Sequence, residues 1–138
     1  WGLTLFLAMM LPNFIWFAVP AVNDVLREKS VTPFVDMIAS VFQVVMIVAL
    51  CIIINKYRQK PMKKVVFRGI VILLALYYIG WCLYYAGIIN PAVILDLSLA
   101  PCLAFILFSM SRKNAIALLS AIIFTLCHVL YGIINFII

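Results

Sequence analysis

Three side chains in a largely apolar sequence are equipped for chemistry: Asp36, Asp96 and His128. Ionisable groups are costly at membrane depth, so two carboxylates and an imidazole set among hydrophobic runs mark a ligand site, a proton relay or a catalytic base. His128 is the only histidine, the side chain that titrates nearest neutrality when unperturbed, at about 6.5. Asn13, Gln43 and Asn135 add hydrogen-bonding groups, and Trp16, Trp81, Tyr84, Tyr85 and Tyr131 add aromatic faces. Carboxylates amid aromatic rings suit a small cationic or planar aromatic ligand. The candidate ligand-binding set is therefore Asn13, Trp16, Asp36, Gln43, Trp81, Tyr84, Asp96, His128 and Tyr131.

Positioning these groups requires helices in lipid. The chain has 138 residues, 69% of them hydrophobic and 10% charged, with a mean hydropathy of +1.29, whereas a soluble domain is roughly half apolar and a quarter charged. A spanning helix takes about 20 apolar residues, and five such runs can be drawn, at roughly 2–20, 33–54, 67–89, 91–110 and 115–138. The expectation is an all-α fold, a single transmembrane domain over 1–138 built as a five-helix bundle. Trp1 is not a start residue, so a short leader is expected before it. Pro12 and Asn13 in the middle of the first run argue against a cleaved signal peptide.

The net charge of +6 does not imply a nucleic-acid partner, because the basic residues are gathered in connections. Lys56, Arg58, Lys60, Lys63, Lys64 and Arg68 lie between the second and third runs, and Arg112 and Lys113 between the fourth and fifth. The first connection balances Arg27 and Lys29 against Asp24 and Glu28, and the third has no basic residue. Lys and Arg accumulate on the cytoplasmic side, which places the amino end inside and the carboxyl end outside. The expected setting is a plasma membrane, the inner membrane of a bacterium. Cys51, Cys82, Cys102 and Cys127 fall on four different runs without CxxC spacing, as expected of buried thiols rather than a disulfide framework or a thiolate metal site.

In this orientation all the candidate residues occupy the outer half. Pro12 cannot donate to the carbonyl of Ala8, leaving that oxygen to a neighbouring helix, a side chain or water. Asp36, Ser40 and Gln43, at steps of four and three, share one face of the second helix. Tyr77, Trp81 and Tyr84 descend one face of the third, as packed aromatics or as a binding wall. Asn90 and Pro91 read as a cap and first-turn proline for the fourth helix. Pro101 frees the carbonyl of Leu97 beside Asp96, an electronegative spot for a cation, a proton or a structural water. On the fifth helix Ala117, Ala121, Thr125, His128, Gly132 and Asn135 form a single stripe, small at its deep end and polar toward the outside. The dozen residues of the first loop are long enough to cover the outer mouth.

With five helices, an amino end inside, a longer outer first loop and a very short third connection, the arrangement resembles the translocator protein, or tryptophan-rich sensory protein, family. LREKSVTP at 26–33 looks like that family's loop before helix two, and CHVLYGIIN at 127–135 is similar to the end of its fifth helix. The resemblance implies a small-ligand pocket opening outward, for porphyrin or sterol-like molecules. The family's Trp-x-Pro-Pro signature is replaced by Val31-Thr32-Pro33-Phe34, so no binding residue is carried over.

Three functions compete. A small-molecule sensor or carrier would use the outward cavity, and proton-coupled transport by so few helices would call for a homodimer. An accessory or immunity-type subunit would use its polar groups to contact partner helices. An intramembrane enzyme would use His128 as a general base oriented by Asp36 or Asp96, but G-x-S-x-G, HExxH, paired-cysteine zinc and P-loop motifs are absent from the sequence. No particular cofactor is implied, and an Asp, Asp, His metal site ranks low because its ligands are far apart in the chain.

Overall fold

The computed structural model of the protein describes residues 2–52 and 61–138. Its helices are α1 (Gly2–Ala18), α2 (Pro33–Ile52), α3 (Lys64–Tyr85), α4 (Pro91–Ser111) and α5 (Ala115–Phe136), and a 3-10 turn, Val25–Arg27, lies in the first loop. The described residues contain no strand. The chain is thus all-α, and α2 to α5 are each long and apolar enough to cross a membrane, as expected of a multi-pass membrane protein. α1 is apolar but has 17 residues, about 26 Å of helix against a hydrocarbon thickness of about 30 Å. It stops two residues before the expected end because Pro20 disfavours helical backbone at Val19.

Local chemistry explains the other boundaries. Asn90 caps α4, its side chain accepting from the Val93 N–H at 3.0 Å ahead of Pro91. α3 ends at Tyr85, short of the expected 89, because Gly87 adopts φ +80. The Gly87 N–H returns to the Tyr84 carbonyl and the Ile88 N–H to that of Leu83, both at 3.0 Å, a Schellman closure that favours glycine at the left-handed position. Asn114 caps α5 by accepting from the Ala117 N–H at 3.0 Å, and its amide donates to the Ala49 carbonyl at 2.9 Å. One buried side chain therefore starts α5 and ties it to the deep end of α2.

Around the bundle the packed neighbours run α1, α2, α5, α4, α3 and back to α1. α4 lies between α3 and α5 and is the most enclosed element, 56% of its apolar window being buried against 17% for α2. Close approach relies on small residues: a Cβ at Gly132 would stand 2.9 Å from Ser98 Oγ, and one at Gly2 would stand 2.6 Å from the Leu50 carbonyl oxygen. Leu7, Val44, Ile72 and Leu119 are among the exposed apolar side chains, and such a surface suits lipid. The first loop, the α3–α4 turn and the carboxyl end share one end of the bundle. Lys63, Lys64, Arg68, Arg112 and Lys113 mark the other, while Lys56, Arg58 and Lys60 lie outside the described residues.

Candidate functional site

Pro12 opens the site's wall as the sequence requires. The Ala8 carbonyl that it cannot serve accepts from Tyr78 Oη of α3 at 2.8 Å. One residue after the proline, Asn13 Nδ2 donates to Met9 O at 3.2 Å and to Tyr77 Oη at 2.6 Å. These bonds fasten α1 to α3 halfway along the bundle, where α1 otherwise makes few contacts.

Inside the ring of helices is a cavity of about 430 Å³, within the usual range for small-molecule sites of roughly 300–1,000 Å³. Seven of the nine candidate residues line it: Asn13, Trp16, Asp36, Gln43, Trp81, His128 and Tyr131. Its loop end is bounded by Trp16, Asp36 and Tyr131, with Leu26 reaching in from the first loop. Deeper it is walled by Met9, Leu97, Phe105 and Phe124. Trp81 presents its ring to Trp16 at 6.2 Å and meets Tyr77 edge-on at 6.3 Å. His128 stacks on Phe124, one turn away on α5, with centroids 5.0 Å apart and planes at 20°. Asp36 shares this lining with His128 and Tyr131.

Two candidates stand elsewhere. Asp96 does not join Asp36 and His128. The cavity-facing residues of α4 are Leu97, Ser98, Pro101 and Phe105, and at 3.6 residues per turn Asp96 lies roughly 150° around the helix from their mean direction. Its carboxylate instead fills the notch over Gly80 of α3, where a Cβ would collide with Oδ2. Tyr84 is buried behind the wall: its hydroxyl donates to Asp24 Oδ1 at 2.9 Å and accepts from the Leu26 N–H at 3.1 Å.

Asp24 is the residue that sequence reasoning passed over, having read it only as part of a balanced loop charge. Its carboxylate, whose side chain is 9% exposed, accepts from Trp16 Nε1 at 2.9 Å, Tyr84 Oη at 2.9 Å, Arg27 Nε at 2.9 Å and the Ala21 N–H at 3.3 Å. Burial pushes this carboxyl up, but the bonds from Trp16, Tyr84, Ala21 and Arg27 together outweigh it and hold the group below its ordinary value. The Arg27 guanidinium stacks on Trp16 and donates to the carbonyls of Trp16 and Phe17. At the loop's far end, Asn135 accepts from the Val31 N–H and donates to Thr32 Oγ1, both at 2.7 Å. The first loop is thus a cap over the cavity, pinned at one side by Asp24 and at the other by Asn135. The only sequence hint of the Asp24 hub is the i,i+3 spacing of Asp24 and Arg27, since Tyr84 lies 60 positions away.

What the cavity leaves unsatisfied is chemically informative. The Trp81 Nε1–H is buried without an acceptor, and among the described residues the carboxylate of Asp36, the amide of Gln43 and the imidazole of His128 have no hydrogen-bond partner. Of the four only Trp81 is buried, Gln43 and His128 being half-buried and Asp36 exposed; a buried polar group is normally paired, and at membrane depth lipid serves none of them. Among the described residues no group of three His, Cys, Asp or Glu side chains could hold a metal ion, and Cys51, Cys82, Cys102 and Cys127 are free thiols. No protein-family model, curated protein or solved structure matches the chain.

Proposed function

We propose that the protein is a small-molecule-binding membrane protein, a sensor or carrier, whose ligand occupies the interior cavity beneath the first loop. The observation that carries this reading is the set of four polar side chains, Asp36, Gln43, Trp81 and His128, that have no hydrogen-bond partner among the described residues and line one cavity of ligand size. Groups that only held the fold together would be paired with it, as Asn13, Asn114 and Asn135 are. The aromatic rings and the carboxylate suit a small cationic or planar aromatic molecule. The basic residues at the opposite end favour an orientation with the capped end outside a bacterial plasma membrane. The likeness of LREKSVTP and CHVLYGIIN to translocator proteins supports kinship with that family and a ligand-binding role.

The test is thermal unfolding of the purified protein against a panel of porphyrins, sterols, quinones, organic cations and divalent metals. A ligand of the native state raises its stability by mass action, about 2.7 kcal/mol at a hundred times Kd. A hit lost in His128→Ala and retained in Asp96→Asn is the expected result, because Asp96 lies outside the cavity. A hit lost in neither variant would place the ligand elsewhere.

One observation favours the accessory-subunit reading. Asp96 is half-buried at the α3–α4 seam and, among the described residues, has no hydrogen-bond partner, so a helix of a partner or of a second copy could satisfy it. Loss of a defined oligomer in Asp96→Asn would support that role.

A further inference from the structure

The charges around the cavity are of one sign. Among the described residues Asp36 is the only acidic side chain on its wall, and no Lys or Arg lines it. The titratable groups that share the lining are His128, Tyr77 and Tyr131. Arg27, in the loop beside Trp16, is committed to Asp24, to two backbone carbonyls and to the Trp16 ring. Asp36, an exposed side chain, therefore meets the cavity with no Lys or Arg among the described residues of its lining.

The cavity is also polarised along the bundle axis. Asp36 lies in the first turn of α2, while Gln43, seven residues on, is about 10 Å deeper. At the loop end Asp36 stands among Trp16 and Tyr131, and below it the wall turns to Met9, Leu97, Phe105 and Phe124. Between these zones the Trp81 indole, 6% exposed, offers an N–H with no acceptor.

Resting on the ligand-binding reading above, we infer that the ligand is a lipophilic organic monocation. Its charged head sits against Asp36 and the aromatic rings at the loop end, an acceptor atom takes the Trp81 N–H, and its apolar body lies toward Phe105. A carboxylate without counter-charge and aromatic faces both attract such a head. The same wall disfavours a dicarboxylate such as a porphyrin, whose anionic arms would meet Asp36 with no Lys or Arg to receive them.

Three probes of similar shape separate charge from bulk: tetraphenylphosphonium, the isosteric anion tetraphenylborate, and neutral triphenylphosphine oxide, which carries a strong acceptor. Binding is followed by quenching of tryptophan fluorescence in lipid nanodiscs, with empty nanodiscs correcting for partition. The expected result is saturable binding of tetraphenylphosphonium and weak binding of the oxide that is lost in Trp81→Phe. Tetraphenylborate should show no saturable binding. Asp36→Asn should weaken the cation by roughly tenfold or more and Asp36→Glu should restore it. Equal binding of all three probes, insensitive to Asp36→Asn, would overturn the monocation and leave a ligand site standing. Failure of every probe with the folded wild-type protein would overturn both.

Discussion

Replacing Asp24 by alanine should open the cap without unfolding the bundle. Four donors lose their acceptor: the Trp16 indole, the Tyr84 hydroxyl, Arg27 Nε and the Ala21 N–H. Arg27 is 40% exposed, so water takes over its share and the loss there is small, about 0.5 kcal/mol. Tyr84 is buried and Trp16 partly so, and each lost bond to the charged acceptor costs about 1.5 kcal/mol, the Ala21 contact at 3.3 Å adding little. The sum is about 3.5 kcal/mol, which multiplies the open population of the loop by a few hundredfold. Cleavage by trypsin at Arg27 and Lys29 reports that population directly when reclosing outpaces cleavage. Asp24→Asn, which keeps one acceptor oxygen, should fall between wild type and Asp24→Ala. The pH dependence has a definite sign. Because the folded Asp24 carboxyl is held below its ordinary value, the latch is at full strength above about pH 4 and weakens only as pH falls below that, through the folded value. Loop cleavage in Asp24→Ala within twofold of wild type would refute the latch, as would a wild-type loop that opened between pH 8 and pH 5.

Other substitutions test the fold that holds the site. Tyr78→Phe should cost about 1 kcal/mol in wild type and markedly less in a Pro12→Ala background, where the N–H of residue 12 can serve the Ala8 carbonyl; a double-mutant cycle with no coupling would contradict this. Asn114→Ala removes a helix cap and the bond to the Ala49 carbonyl, so chemical unfolding should show a loss of about 2 kcal/mol. Gly87→Ala forces a side chain into φ +80 and should cost about 1 kcal/mol with no effect on ligand binding.

Features set by local spacing were legible in the sequence. The five apolar runs, the Asn90–Pro91 helix start and the carbonyl freed by Pro12 all follow from neighbours within four residues. The α2 face carrying Asp36 and Gln43 was likewise a matter of helical phase, and both residues line the cavity. Asp96 shows where this reasoning runs out: its depth could be counted from the helix start, but the direction of α4 toward α3 and α5 could not, and a rotation of roughly 150° puts it against Gly80. Tyr84 had the correct face yet became a loop anchor, because the Asp24 hub unites residues 16, 24, 27 and 84, which no periodicity connects. Asn114 was equally silent, its tie to Ala49 spanning 65 positions.

Thiol accessibility in sealed vesicles tests the central claim most directly. In a background with the four native cysteines replaced, cysteine is introduced singly at Ser98 or Phe136, which line the cavity, or at Asp96, which does not, and modification by a membrane-impermeant maleimide is measured with and without saturating tetraphenylphosphonium. Modification at positions 98 and 136 from the face bearing the first loop, with protection by the cation and none at position 96, is the expected outcome. Modification at 98 and 136 that the cation leaves unchanged, or that comes from the face bearing Arg112 and Lys113, would contradict a ligand cavity beneath an outer cap.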